Sequence, residues 1–172
     1  LVVHSGVERE LVDSAYNERR ATILDALDEL GVDASPAVDL SGLGRLDEEA
    51  ARRLGYVVRE NARVRQATTA LDDGDSQLFG DILVEAHEDL ATNFDASTEE
   101  LDFIVETAVE NGAYGARLTG AGWGGAVVVA VDGDRATAVA DTIESEYGEA
   151  FPEREVSTDT VDPADGVTVD RR

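Results

Sequence analysis

The chain has 172 residues, 42% of them apolar, and a formal net charge of −24. This length and composition are typical of one globular domain with its own hydrophobic core. The 38 acidic residues far outnumber the 14 basic ones, and every basic residue is Arg. Because such a surface repels nucleic acids and anionic lipids, we expect neither as a partner. An acidic surface without Lys also predicts a halophilic protein.

Cysteine is absent, which excludes disulfides, thiolate metal sites and cysteine nucleophiles. The two histidines, His4 and His87, lack metal-binding spacing, so we expect packed or surface side chains and no metal ligand in this chain. No run of 18 apolar residues and no leader pattern occurs, so we expect a cytoplasmic protein. The chain starts inside the apolar run 1–3 without Met, and we expect a piece of a longer polypeptide.

Hydrophobic periodicity predicts nine elements in chain order. They are a strand at 1–7, helices at 8–30, from about 47 to 71, at 76–90 and from 97 to 111, strands at 115–119 and 126–131, a helix from about 134 to 147, and a strand at 155–161. We expect a further short strand at 166–169. This order predicts a single α+β domain over residues 1–172, an antiparallel sheet with helices packed on one face.

Three details of the helices are predicted from side-chain types. The first helix has Tyr16 and Leu27 on its apolar face, and the third has Leu78 there. Ser97 followed by Glu100 is the pattern of a capping box at the start of the fourth helix.

Five glycines fall within the eleven residues 115–125, directly before a run of Ala and Val. Glycine is needed where φ turns positive or where another segment comes close to the backbone. Successive N–H groups in such a turn can form an anion-binding nest. We therefore predict a strand, a glycine loop that packs closely on its neighbours, and a second strand.

The glycines allow two other interpretations. Gly120, Gly122 and Gly125 spell the dinucleotide fingerprint G-x-G-x-x-G, but that motif requires a helix to begin at its last glycine. Here the residues after Gly125 are typical of a strand, which argues against dinucleotide binding. A glycine-rich hairpin without any ligand stays open as an alternative.

Several segments resemble the C-terminal half of the galactokinases, within the GHMP family of small-molecule kinases. They are G-A-R-L-T-G-A-G-W-G-G-A-V-V-V-A-V from residue 115, V-E-R-E-L-V-D-S-A-Y-N-E-R-R from residue 7, Y-V-V-R-E-N-A-R-V from residue 56 and F-G-D-I-L-V-E-A-H from residue 79. The glycine segment is shared with mevalonate and homoserine kinases, whereas the segment around Tyr16 is much more specific. This resemblance implies a ferredoxin-like C-terminal domain.

The resemblance also implies phosphorylation of galactose at its C1 hydroxyl, with ATP as donor and Mg²⁺ as metal. Tyr16 matches the tyrosine whose hydroxyl contacts the sugar, although a core-facing tyrosine is the alternative. Gly120, Gly122, Gly124 and Gly125 match the glycines beside the nucleotide phosphates. Glu8 departs from the family at a position that is often basic, which disfavours a phosphate contact there.

The family's sugar-binding, phosphate-binding and catalytic motifs belong to an N-terminal kinase half, and none of them occurs in this sequence. Phosphoryl transfer needs a phosphate cradle, metal ligands and a group near the acceptor hydroxyl. We therefore expect no catalytic residue here, and a chain that forms one wall of the active site and is inactive alone. Another GHMP kinase and a non-catalytic, galactokinase-like sugar sensor are the alternatives.

Overall fold

The computed structural model describes residues 1–8 and 12–162 together with 164, 166 and 168, and only the backbone of 12–14. Its five α-helices are α1 (Val12–Leu30), α2 (Glu48–Asp72), α3 (Ser76–Asp89), α4 (Glu99–Glu110) and α5 (Ala136–Ala150). Its four strands are β1 (Val2–His4), β2 (Gly115–Thr119), β3 (Ala126–Ala130) and β4 (Ser157–Asp159). Short 3₁₀ turns connect α1 to α2, and a π-helical turn, Leu90–Phe94, extends α3.

The four strands form one antiparallel sheet in the order β2-β3-β1-β4. The first strand in sequence therefore lies inside the sheet, between β3 and β4. Helices α4 and α5 pack on one face, where Val3 and Val127 of the sheet and Ile104 and Ile143 of the helices are fully buried. The architecture confirms the predicted α+β domain with an antiparallel sheet and helices on one face.

Helix α3 covers the outer edge of β2. The N–H of Leu118, which faces away from the sheet, donates to Nδ1 of His87 at 3.2 Å. Gly80 and Gly115 let the two backbones approach so closely that a Cβ on either glycine would overlap the other element. An edge strand with free N–H groups is prone to pair with another chain, and this helix protects it.

A second, smaller core lies at the far end of α1. Ala26, Leu27, Ala50 and Leu54 are buried together between α1 and α2. Gly31 ends α1 at φ +71°, as a C-terminal glycine does in a left-handed helix cap. Leu27 therefore confirms the predicted apolar face of the first helix in its C-terminal part.

Several predicted details were wrong. Tyr16 is 48% exposed and Leu78 is 45% exposed, so neither lies in the core. The hydroxyl of Thr98 caps α4 by accepting from the N–H of Leu101, whereas the Ser97 hydroxyl donates to Asp102, so the capping-box assignment was shifted by one residue. Helix periodicity identifies an apolar stripe, but only the neighbouring elements decide which part of that stripe is covered.

The strand boundaries also differ. Strand β1 ends at His4 rather than Val7, because Gly6 at φ +69° turns the chain beside Glu155. Strand β4 covers only Ser157–Asp159. The strand expected at 166–169 depends on residues that lie outside the described part of the chain.

Candidate functional site

The glycine loop, residues 120–125, connects β2 to β3 through a series of left-handed conformations. The φ angles are +85° at Gly120, +89° at Gly122, +120° at Gly124 and +85° at Gly125. Trp123, between them, is at +53°, although it has a side chain. Left-handed backbone costs a non-glycine residue about 1–2 kcal/mol. The conformational prediction for these glycines is therefore confirmed, while their role toward a ligand stays a prediction.

Two neighbouring segments hold the glycine loop from opposite sides. On one side, the N–H of Trp123 donates to the carbonyl oxygen of Ala96 at 2.7 Å, and a Cβ on Gly122 would overlap that oxygen. On the other side, a Cβ on Gly124 would come within 2.8 Å of Val7. The loop is thus packed in a defined position before any ligand arrives.

The carbonyl oxygen of Gly125 accepts two hydrogen bonds from Ser5. One comes from its N–H at 2.8 Å and the other from its hydroxyl at 2.9 Å. In the described part of the chain, the N–H groups of Gly122 and Gly124 find no acceptor. Free N–H groups in a left-handed loop are the donors that an anion-binding nest requires.

Tyr16 lies in the second turn of α1 with 48% of its surface exposed, so the alternative of a core tyrosine is excluded. Arg19, one turn further along, donates from Nε to the carbonyl oxygen of Phe94 at 3.0 Å. Phe94 is two residues before Ala96, which contacts the glycine loop. The structure therefore brings the helix that carries Tyr16 toward the segment that supports the loop.

Glu8 is exposed and directly follows Val7, which packs on Gly124. Whether Glu8 contacts a phosphate stays a prediction.

A cavity of about 680 Å³ lies between α3 and α4, away from Tyr16 and the glycines. His87 in its wall is 5% exposed, and its Nε2 lies 3.0 Å from Asp102 while Nδ1 accepts from Leu118. Burial alone would raise the pKa of Asp102, but the hydrogen bonds from His87 and Ser97 outweigh it and lower that pKa. These polar groups are hydrogen-bonded to one another, and nothing further assigns a ligand to the cavity.

An ion-pair layer joins α2, α3 and β2, comprising Arg59, Glu60, Arg63, Asp89 and Arg117. Asp89 is 6% exposed and accepts from Arg59 at 2.6 and 2.8 Å and from Arg63 at 2.5 Å. Glu60 bonds both Arg63 and Arg117. Burial alone would raise the pKa of Asp89, but the hydrogen bonds from Arg59 and Arg63 lower it to about 2.

The described residues gather no group of three His, Asp or Glu side chains suited to a metal ion. In the same residues, no helix is long and apolar enough to span a bilayer.

Residues 67–150 match the family model described as GHMP kinases C terminal. This range contains the glycine loop and the segments that hold it on the α4 side. The chain belongs to the GHMP kinases. Among relatives, it is 47% identical over 152 residues to a galactokinase of Thermococcus kodakarensis and 46% identical over 169 residues to one of Pyrococcus furiosus. These matches cover 88% and 98% of the chain.

Among solved structures, this GHMP kinase domain is similar to Lactococcus lactis galactokinase complexed with galactose. The TM-score is 0.83 at 28% identity, over 91% of this chain and 42% of that one. The chain also spans only 43% and 48% of the two archaeal galactokinases. The matches favour a galactokinase domain over that of another GHMP kinase, and they show that the relatives carry a further half.

The residues that sequence reasoning missed are Arg53 and Asp95. Arg53 is 2% exposed and donates to the carbonyl oxygen of Asn93 at 2.8 Å. Asp95 adopts a left-handed conformation at φ +59°. One signal for Arg53 was available, since it lies beside Leu54 and one turn from Ala50 and Val57 on the buried stripe of α2.

Proposed function

We propose that this chain is the C-terminal domain of a galactokinase and forms one wall of the sugar and nucleotide site. The N-terminal kinase half is its partner, and galactose and ATP are the substrates of the whole protein. The observation that carries the proposal is the glycine loop, which is held in a left-handed conformation and in which the N–H groups of Gly122 and Gly124 have no acceptor among the described residues. The similarity of this chain to galactokinases over nearly its whole length supports the sugar assignment.

We place the four loop glycines on the phosphate side of this wall, because they match the family's phosphate-side glycines and because the N–H groups of Gly122 and Gly124 find no acceptor among the described residues. Tyr16 lies on the sugar side, since an exposed phenol offers a donor, an acceptor and a flat apolar surface. The catalytic groups and the Mg²⁺ ligands come from the N-terminal half. The isolated chain is therefore inactive. The complete enzyme works in the salt-rich cytoplasm of a halophile.

The test compares two proteins for ADP formation with galactose, ATP and Mg²⁺. The isolated 172-residue chain gives no turnover, and the longer protein, in which the N-terminal half precedes this chain, phosphorylates galactose. Turnover by the isolated chain would contradict the proposal that the catalytic groups come from the N-terminal half. A longer protein that binds galactose without turnover would support the sugar sensor instead.

Tyr16→Phe in the longer protein raises the KM for galactose roughly two- to tenfold, because one hydrogen bond to the sugar is lost. Tyr114→Phe is the matched control, since Tyr114 lies at the opposite end of β2 from the glycine loop. If Tyr16→Phe leaves both kcat and KM unchanged, Tyr16 is not a sugar contact.

A further inference from the structure

Residues 94–96 form a sharp corner between the π-helical turn and α4. Asp95 occupies this corner in a left-handed conformation at φ +59°. Asp is among the few side-chain-bearing residues that adopt this conformation, yet it still costs free energy there. A residue held in such a conformation needs support from its surroundings.

Two arginines supply that support from two different helices. Arg19 of α1 donates from Nε to the carbonyl oxygen of Phe94 at 3.0 Å and from its terminal nitrogen to Asp95 at 2.8 Å. Arg53 of α2 donates to the carbonyl oxygen of Asn93 at 2.8 Å and to the same Asp95 carboxylate oxygen at 3.3 Å. Each guanidinium thus contacts both a backbone carbonyl and the side chain of the corner.

The burial of Arg53 shows that this arrangement is specific. Its side chain is 3% exposed, whereas that of Asp95 is 64% exposed. Burial and the nearby Arg19 and Arg52 lower the pKa of Arg53, and Asp95 partly offsets them. A buried guanidinium is costly without hydrogen-bonding partners, and both terminal nitrogens of Arg53 find theirs at Asn93 and Asp95, while its Nε has none among the described residues.

The corner in turn determines where the glycine loop lies. Ala96 is fully buried, and its carbonyl oxygen accepts the N–H of Trp123 at 2.7 Å. The backbone of Gly122 packs against the same residue. A shift of the corner therefore moves the middle of the loop, where the free N–H groups lie.

The same corner is linked to the sugar-side helix. Arg19 and Tyr16 are three residues apart in α1, and residues at this spacing are neighbours on a helix surface. Arg19 thus joins the turn that carries Tyr16 to the corner that supports the glycine loop.

We propose that Arg19 and Arg53 are positioning residues that act through the Asp95 corner. They hold the glycine loop at a fixed position relative to α1. The loop on the phosphate side and Tyr16 on the sugar side therefore keep a constant separation. The inference deepens the proposed function and depends on it only for its kinetic consequence.

The first test uses the isolated chain, whose single tryptophan, Trp123, lies in the loop itself. Arg53→Lys keeps the charge but loses the two-point contact, and it is compared with Arg52→Lys at the exposed neighbouring residue. We expect a red shift of Trp123 emission and stronger acrylamide quenching for Arg53→Lys alone. Circular dichroism and the urea midpoint establish that both variants are folded at the temperature of measurement.

Asp95→Asn is the milder second variant, because Asn adopts the left-handed conformation readily but carries no charge. We expect a red shift of Trp123 emission and stronger quenching for Asp95→Asn as well. We expect the same for Arg19→Lys, whose control is Arg20→Lys at an exposed residue. Equal emission and quenching in the folded Arg53→Lys, Asp95→Asn and wild-type chains would overturn the inference.

The second test uses the longer protein with the N-terminal half. Arg53→Lys raises the KM for ATP about tenfold, as expected when one charge-assisted hydrogen bond that positions the loop is lost. A purely structural role would instead lower the active fraction and leave KM unchanged, which would also overturn the inference. If the wild-type longer protein shows no kinase activity, the proposed function fails, and the fluorescence test still decides the positioning role.

Discussion

Two regions that meet at β2 are stabilised by opposite means. The glycine loop is held by close backbone packing and by hydrogen bonds to Ala96 and Ser5, with no charged group among these contacts. The ion-pair layer is held by buried charges, with Asp89 between Arg59 and Arg63. The direct contacts of the glycine loop are therefore sensitive to added volume, whereas those of the ion-pair layer are sensitive to pH. Four measurements test this contrast.

The largest effect is expected in the ion-pair layer. Asp89→Ala leaves two guanidinium groups without their shared partner, one of them buried, and lowers the free energy of unfolding by about 3–5 kcal/mol. Urea denaturation at neutral pH measures it. Asp81→Ala on the exposed side of the same helix is the control and changes stability by about 0.5 kcal/mol or less. Comparable losses for the two variants would mean that the buried ion pairs contribute no more to the free energy of unfolding than an exposed carboxylate does.

Gly122→Val is expected to cost about 2–4 kcal/mol, because the left-handed backbone and the overlap with Ala96 both penalise a side chain. Gly133→Val is the matched control, since a Cβ at Gly133 meets no atom within 4 Å. In the longer protein Gly122→Val also raises the KM for ATP or abolishes turnover. A stable Gly122→Val chain with unchanged Trp123 emission would show that the loop is loosely held.

The pH dependence should separate the two regions. The folded-state pKa of Asp89, about 2, lies below its ordinary value of 3.8, so the ionised carboxylate favours the folded state. This contribution, about 2 kcal/mol, is complete above the unfolded pKa near 4 and is lost as the pH falls through about 2. The stability difference between wild type and Asp89→Asn therefore shrinks in acid, whereas that between wild type and Gly122→Val stays constant. A constant Asp89→Asn difference down to about pH 2 would contradict the lowered pKa.

Salt is expected to have the smallest effect on the difference in stability contributions between the two regions. Raising KCl from about 0.1 M to about 1 M shortens the screening length from about 10 Å to about 3 Å, which relieves repulsion between exposed carboxylates. The whole chain, with its net charge of −24, is therefore stabilised, and its melting temperature rises. The Asp89→Ala penalty changes little, because buried pairs are poorly screened. A melting temperature that is independent of KCl would refute the halophilic interpretation.

Much of the fold could be predicted from the sequence, because it depends on local patterns. The order of nine elements and the bounds of β2 at 115–119 follow from hydrophobic periodicity and from the glycines that interrupt it. The left-handed conformations of the loop glycines were also predictable, since few other residues tolerate them. The family resemblance added the galactokinase assignment, which neither periodicity nor composition contains.

The tertiary structure decided what those patterns touch. Tyr16 fits the apolar stripe of α1 by spacing, but the described neighbouring elements leave 48% of it exposed. Arg53 fits the buried stripe of α2 and is buried despite its charge, because the carbonyl oxygen of Asn93 and the carboxylate of Asp95 accept its hydrogen bonds. Residues 40 or more positions apart form that contact, and spacing along one helix carries no information about such a partner. The sequence alone therefore determined the elements and the loop backbone, whereas the corner that holds the loop arises only where three helices and a hairpin meet.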